Sequence, residues 1–251
     1  QCIGCRLERS RQWAVRIVHE STLHLENSFL TLTYSEENVP SDYSLRKDDY
    51  VKFLKRLRKK THPFRYFLCG EYGEQLQRPH FHACLFGLNF TDRVPCDGKA
   101  SGLLYRSDLL DETWGLGNCM IGEVTFESAA YVARYCVKKI TGEPAAAHYA
   151  GRTPEFCQMS RRPGIAADWF SRYKSDVYPS DEIRLRGLKL RPPSYYDRLY
   201  DLEDSSKLAA IKGKRAAHVS ASGENTLERL RVRERCALAK TKRKIRKYEK
   251  H

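Results

Sequence analysis

Residues 65–87 decide the fold: Arg65-Tyr66-Phe67-Leu68-Cys69-Gly70-Glu71-Tyr72, a polar link Gly73-Glu74-Gln75-Leu76-Gln77-Arg78, then Pro79-His80-Phe81-His82-Ala83-Cys84-Leu85-Phe86-Gly87. Two strand-like runs around a short polar link read as a β-hairpin. Side chains alternate along a strand, so His80 and His82 share one face, while Phe81, Ala83 and Leu85 share the other. The Phe81 face is the expected core. The opposite face then holds two imidazoles rigidly side by side, which suits two ligands of one divalent cation.

The first strand brings Glu71 to the hairpin mouth, and Glu74 lies in the link. A carboxylate oxygen joining two histidines leaves coordination positions for water and a phosphate oxygen. Glu71, at the strand end, is the preferred third ligand and Glu74 the alternative. Mg²⁺ or Mn²⁺ fits such a mixed set better than a structural Zn²⁺. A His-x-His strand alone is equally compatible with two surface histidines, so the remaining sequence has to decide.

Upstream, Arg6 to Thr22 carries Leu7, Trp13, Ala14, Ile17 and Val18 at helical spacing, and Asn27 to Tyr34 reads as a strand. Asp48 to Lys60 is a second helix with Tyr50, Val51, Leu54 and Leu57 on one stripe. Downstream come a loop to Gly102, a short strand (103–106), a short helix (107–114) and a strand (119–125). A helix over Glu127 to Ile140 is closed by Gly142 and Pro144. Residues 145–193 are irregular apart from one helix near 165–175, and Thr226 to Lys250 reads as a basic helix. Hairpins without regular βα alternation indicate an α+β domain: an antiparallel sheet with helices mainly on one face.

The helix after the hairpin supplies a second constellation. Tyr131 and Tyr135 are an i,i+4 pair on one face, and Lys138 continues the stripe. Val132, Ala133, Cys136 and Val137 already provide an apolar face, so the tyrosine face calls for a separate explanation.

Arg78-Pro79-His80-Phe81-His82, followed by a helix with Tyr-x-x-x-Tyr and a trailing Lys, resembles the HUH endonucleases. The strand Phe29-Leu30-Thr31-Leu32-Thr33-Tyr34 is similar to the hydrophobic first motif of that superfamily. Cys2-Ile3-Gly4-Cys5-Arg6, Gly70-Glu71-Tyr72-Gly73, Tyr131 to Lys139 and Met159-Ser160-Arg161-Arg162-Pro163-Gly164-Ile165 resemble, more narrowly, replication initiators of gokushovirus-type microviruses. These are small single-stranded DNA phages. The resemblance covers residues 1 to about 170.

That resemblance implies an HUH/RRM-like, ferredoxin-like nicking and joining domain over residues 1–175, with residues 176–251 as an extension and basic helical tail. It implies a rolling-circle initiator that cuts origin DNA through a tyrosine nucleophile, leaves a 5′-phosphotyrosine and later rejoins the strand. Tyr131 and Tyr135 would alternate as nucleophiles. Lys138, and more weakly Lys139, would stabilise the phosphorane charge or lower the tyrosine pKa, which is near ~10 unperturbed. Mg²⁺ or Mn²⁺ on His80, His82 and Glu71 would polarise the phosphate. Single-stranded origin DNA is the expected partner, with host helicase and polymerase as further ones, in the bacterial host cytoplasm. No Walker-type Gly-rich loop is present, so unwinding comes from elsewhere.

Charge agrees with a nucleic-acid partner. Of a net charge of +14, residues 207–251 supply a surplus of 11, from 15 Lys+Arg against 4 Glu. Arg231, Arg235, Lys242 and Lys244 are candidate phosphate contacts, joined by Arg161 and Arg162 ahead of the tail. The basic residues wrap around the tail helix, which makes it an electrostatic anchor rather than a groove reader. No run approaches the roughly 20 apolar residues of a membrane span, and no secretory h-region opens the chain. Nine cysteines without a scaffold pattern read as reduced thiols. Cys2-x-x-Cys5 lacks the second ligand pair of a zinc site. A plasmid relaxase or single-strand transposase would share this chemistry. A non-enzymatic nucleic-acid-binding protein, or a DNA-packaging protein, would leave the histidines and the tyrosine helix unexplained.

Overall fold

The computed structural model describes residues 2–73, 75–96, 104–135, 139–140, 142–178 and 180–243, with the side chains of Tyr135, Lys242 and Arg243 outside that set. The chain divides into two compact units, residues 13–166 and residues 1–12 with 167–251.

The first unit is built on a seven-stranded antiparallel sheet. Its strands are β1 (Asn27–Thr33), β2 (Arg65–Tyr72), β3 (Pro79–Phe86), β4 (Val94–Pro95), β5 (Tyr105–Arg106), β6 (Cys119–Gly122) and β7 (Phe156–Met159), in the order β4-β5-β6-β1-β3-β2-β7. Accompanying helices are α1 (Ile3–Ser21, from Trp13 onward in this unit), α2 (Lys47–Lys60), α3 (Asp108–Trp114), α4 (Phe126–Tyr135) and α5 (Pro144–Tyr149). The hairpin is β2–β3, in a register that sets Glu71 opposite His80 and Cys69 opposite His82. β1 lies on the other side of β3, with Thr33 opposite His80 and Thr31 opposite His82.

Strand alternation sorts the sheet into two faces. Leu30, Leu32, Leu68, Phe81, Ala83 and Leu85 pack with Tyr50, Phe53, Leu54 and Leu57 of α2 and Leu110 and Trp114 of α3. Phe81 is fully buried there, its ring within 5.8 Å of Trp114 and 5.9 Å of Tyr50. Burying such a ring contributes roughly 1.5–3 kcal/mol. Because Phe81 anchors this face, its neighbours His80 and His82 are held to the other.

That other face is also covered, contrary to the expectation of helices mainly on one side. Trp13 of α1 meets Phe67 with ring centroids 5.0 Å apart, and α4 lays Tyr131 over Phe29 and His82. The reason lies in the same alternation: Phe29, Phe67 and Cys84 share the histidine face, and all three are buried. An apolar half-face has to be covered, and only its polar end remains for chemistry.

Two further differences appear in the stretch expected to be irregular. α5 occupies 144–149, and β7 adds to the outer edge of β2, with Phe156 opposite Gly70. A Cβ on Gly70 would lie 3.0 Å from the Phe156 ring and 3.1 Å from Leu45, so the missing side chain makes room for this contact.

The second unit holds α6 (Ala167–Val177), a hairpin of β8 (Ile183–Leu185) and β9 (Leu188–Leu190), α7 (Ser194–Asp201), α8 (Ser205–Ala221) and α9 (Leu227–Arg243). Asp197 is buried and accepts from the Tyr178 hydroxyl at 2.8 Å and from Arg215 at 2.7 Å, while Arg215 also reaches Asp181. Burial would raise the Asp197 carboxyl, but the Arg215 and Tyr178 hydrogen bonds outweigh it and hold it below its ordinary value. Neither α7 nor α8 was expected from the sequence. α9 falls within the basic segment expected to be helical.

His19 on α1 makes stability depend on pH. It is 4% exposed, and burial pushes its pKa down to about 3. The unfolded chain binds the proton near 6.5, so this contribution is complete above that pH and is lost as pH falls toward 3. Stability at pH 5 should therefore be about 2 kcal/mol lower than at pH 7 from this residue. Urea unfolding at both pH values should show that difference, and His19→Gln should remove most of it. An unchanged pH slope in the variant would disprove the assignment.

Candidate functional site

Register alone brings Glu71, His80 and His82 onto one face of adjacent strands, and their side chains converge. One Glu71 carboxylate oxygen lies 2.9 Å from His80 Nε2 and 2.8 Å from His82 Nε2. The three ligand atoms all lie within 4.8 Å of one another. Glu71 and His82 are buried, whereas His80 keeps 17% of its side chain exposed. One edge of the triad therefore opens toward solvent at His80.

Burial would raise the Glu71 carboxyl, yet hydrogen bonds from His80 and His82, with their charge, bring it down to about 2. Glu71 is thus an anion across the neutral pH range, poised between two imidazoles. Two imidazole nitrogens and one carboxylate oxygen, aimed at a common point, fit a hard or borderline divalent cation with open positions. Among the described residues this is the one group of three or more such side chains within ligating reach. Glu74, the alternative ligand, lies outside the described residues.

Each imidazole is oriented from behind. His80 Nδ1 is 3.1 Å from the Arg78 carbonyl, which can only accept, so Nδ1 carries the proton and Nε2 presents its lone pair. Arg78 is itself tied to the Tyr34 carbonyl at 2.9 Å and to Glu36. His82 Nδ1 pairs with Thr31 Oγ1 at 3.0 Å, and the ring stacks on Phe29 with centroids 5.7 Å apart at an 8° interplanar angle. These supporting groups were not singled out from sequence. Thr31 alternates onto the site face of its strand, but its place behind His82 depends on knowing that β1 and β3 are neighbours.

Supporting partners of metal-binding histidines typically affect affinity by about 10–100-fold. Thr31→Val keeps the shape and removes the hydroxyl, so Mn²⁺ affinity should fall by roughly that factor. A calorimetric titration showing unchanged affinity would remove Thr31 from the site.

The tyrosine helix faces the triad. Tyr131 is 4% exposed, its hydroxyl is 3.4 Å from His82 Nε2, and its ring stands edge-on to His82 with centroids 5.0 Å apart. Its neighbours Ala129, Val132 and Ala133 are buried and seat the helix. Tyr135 ends the described part of α4, one helical turn beyond Tyr131. The Tyr135 side chain and Lys138 lie outside the described residues.

Further candidates are not gathered at this point. Lys139, Arg161 and Arg162 are exposed, and Arg161 donates to Gln158 at 3.2 Å. Arg231 and Arg235 are exposed on α9; the Lys242 side chain and Lys244 lie outside the described residues. Tyr149, read from sequence as packing or surface, is buried, and its hydroxyl accepts the Ile140 N–H at 2.9 Å and donates to Glu155. It thereby pins the segment that follows α4. No helix among the described residues is long and apolar enough to cross a membrane.

Comparison with known proteins adds an independent line. The family model described as Replication-associated protein ORF2 matches residues 27–140, the stretch from β1 past α4 that contains the triad and both tyrosines. The chain is 34% identical over 232 residues to Replication-associated protein ORF2 of Spiroplasma virus 4, covering 86% of this chain and 71% of that protein. It is 33% identical over 219 residues to Replication-associated protein VP4 of Bdellovibrio phage phiMH2K, covering 80% and 66% respectively. With Replication-associated protein ORF4 of Chlamydia phage 1 the figures are 30% over 210 residues, 79% and 52%. The chain thus spans from about half to seven tenths of these relatives' lengths. No solved structure matches it.

Proposed function

Since the chain belongs to the replication-associated protein family of gokushovirus-type microviruses, we propose that it is an HUH-type, rolling-circle initiator that nicks and rejoins single-stranded origin DNA. The observation that carries this reading is the Tyr131 hydroxyl, 3.4 Å from His82 Nε2 and facing the triad of Glu71, His80 and His82. A helix tyrosine that served only the core would have no reason to turn its hydroxyl to that cluster.

In this reading Tyr131 is the nucleophile. Its phenolic oxygen forms a bond to the scissile phosphorus, the bond to the 3′ oxygen breaks, and the phenolic proton ends on that oxygen as a 3′-OH. The 5′ phosphate stays on tyrosine, so the bond energy is conserved for rejoining. Mg²⁺ or Mn²⁺ held by Glu71, His80 and His82 supplies Lewis-acid polarisation of the phosphate. His80, at the open edge, is where the strand enters. Thr31 and the Arg78 carbonyl keep both imidazoles aligned without reorganisation.

Tyr135, one turn along α4, serves as the second nucleophile, so that one tyrosine holds the old strand while the other cuts the regenerated origin. Lys138 stabilises the developing phosphorane charge, with Lys139 beside it. Arg161 and Arg162 hold the DNA backbone near the nicking domain, residues 1–175. Residues 176–251 act as a basic arm through Arg231, Arg235, Lys242 and Lys244, with salt-sensitive affinity. Helicase and polymerase come from the bacterial host, in whose cytoplasm the protein works.

The test is incubation with labelled single-stranded DNA of the cognate genome, with and without Mn²⁺, followed by denaturing electrophoresis. A metal-dependent protein–DNA adduct is expected. Tight DNA binding without cleavage or adduct would favour a non-enzymatic binding protein instead.

A further inference from the structure

Cys2-x-x-Cys5 takes no part in the chemistry above. Cys2 immediately precedes α1, and its sulfur accepts the Cys5 backbone N–H at 3.4 Å. Sulfur stands there where a Ser or Asp oxygen would cap a helix. Both thiols are exposed. The two are unequal in acidity. The Cys5 N–H lowers the Cys2 thiol, with the Gly4 N–H helping and Glu234 opposing, whereas hydrogen bonding to Cys2 raises Cys5. Arg6 and Arg9 are the cationic side chains that follow in the first turns, with Glu8 between them.

A closed zinc site would need two more ligands, and among the described residues no third ligating side chain joins this pair. The other described cysteines differ in kind. Cys84 and Cys119 are buried with thiols pushed well up, and Cys96 and Cys236 are exposed without a cysteine three residues away. Two accessible sulfurs three residues apart, the first capping a helix, are suited to thiol–disulfide exchange: the thiolate attacks and the neighbour resolves.

We propose that Cys2 and Cys5 form a dithiol–disulfide exchange site for low-molecular-weight disulfides of the glutathione class, with Cys2 attacking and Cys5 resolving. The Cys2 thiolate bonds to one sulfur of glutathione disulfide. That S–S bond breaks, and one glutathione leaves as a thiolate and takes up a proton. The Cys5 thiolate then bonds to the Cys2 sulfur and expels the second glutathione as its thiol. The protein loses two electrons and two protons, and one disulfide becomes two thiols. Excess reduced glutathione reverses both steps. This site is independent of the nicking reading.

The test uses the full chain, with and without prior chelator treatment, incubated with glutathione disulfide, quenched in acid and alkylated with N-ethylmaleimide. Trypsin cleavage after Arg6 keeps Cys2 and Cys5 on one fragment and separates them from the cysteines that follow. The expected fragment lacks two hydrogens and carries no alkylating reagent, and reduced glutathione restores double alkylation. Cys5→Ser should leave glutathione fixed on Cys2, while Cys2→Ser should slow exchange several-fold. Three results would overturn the proposal: both thiols still alkylated after exposure, glutathione retained without ring closure in the wild type, or exchange seen only after chelation.

Discussion

Changing His82 to alanine is expected to lower metal-dependent nicking of single-stranded origin DNA by roughly 10³-fold. Lewis-acid polarisation is worth several kcal/mol of transition-state stabilisation, and each ~1.36 kcal/mol is tenfold in rate. His82 is one of two imidazoles aimed at the common point with Glu71, so its loss leaves two ligands and an uncompensated buried carboxylate. His82 also stacks on Phe29, and its truncation opens a small cavity. His80→Ala serves as the control, because that ring is partly exposed and its loss perturbs packing less. Both variants should fold, bind DNA and fail to cut, and added Mn²⁺ should not restore wild-type rates. Nicking within tenfold of wild type in both would remove the triad from the mechanism.

Tyr131→Phe should have an effect at least as large. The ring stays against Phe29 and His82, so packing is retained while the nucleophilic oxygen is gone. Covalent adduct formation on the first cut should fall by at least roughly 10³-fold, the scale on which removing a nucleophile acts. Tyr135→Phe should differ in kind: the first cut survives and repeated rounds stop. If Tyr131→Phe formed adduct at the wild-type rate, the hydroxyl near His82 would be a packing feature.

How much of this was legible in the sequence depended on whether the signal was local. The His80-Phe81-His82 alternation fixes which residues face the core, and burial of Phe81 against Trp114 and Tyr50 agrees with it. The Glu71 reading needed only the hairpin, a local element whose register follows from its link. The helix carrying Tyr131 was equally local, because an i,i+4 pair needs no tertiary knowledge.

What could not be read depended on pairings between distant segments. Thr31 supports His82 because β1 lies beside β3, 51 residues apart at that contact. β7 is four residues long without strict alternation, and its place beside β2 depends on the Phe156 ring crossing Gly70. The covering of the histidine face was signalled by Phe29, Phe67 and Cys84, whose side chains alternate onto the same side as the ligands. That apolar half-face needed helix partners, and the sequence reading missed it by attending only to the histidines. In the second unit, α7 and α8 are held by a Tyr178–Asp197–Arg215 network that joins separate helices and leaves no periodic trace.

The most direct measurement is the location of the covalent link. Wild-type protein would be reacted with single-stranded origin DNA and Mn²⁺, digested with nuclease and trypsin, and examined by mass spectrometry for a nucleotide-bearing tyrosine. Trypsin cuts after Arg134, so Tyr131 falls in the fragment Ser107–Arg134 and Tyr135 in the fragment Tyr135–Lys138. A single-turnover reaction is expected to label the Ser107–Arg134 fragment, only with metal present and not in His82→Ala. A label on a tyrosine outside both fragments, or one formed equally without metal, would contradict a nicking centre built from Glu71, His80, His82 and Tyr131.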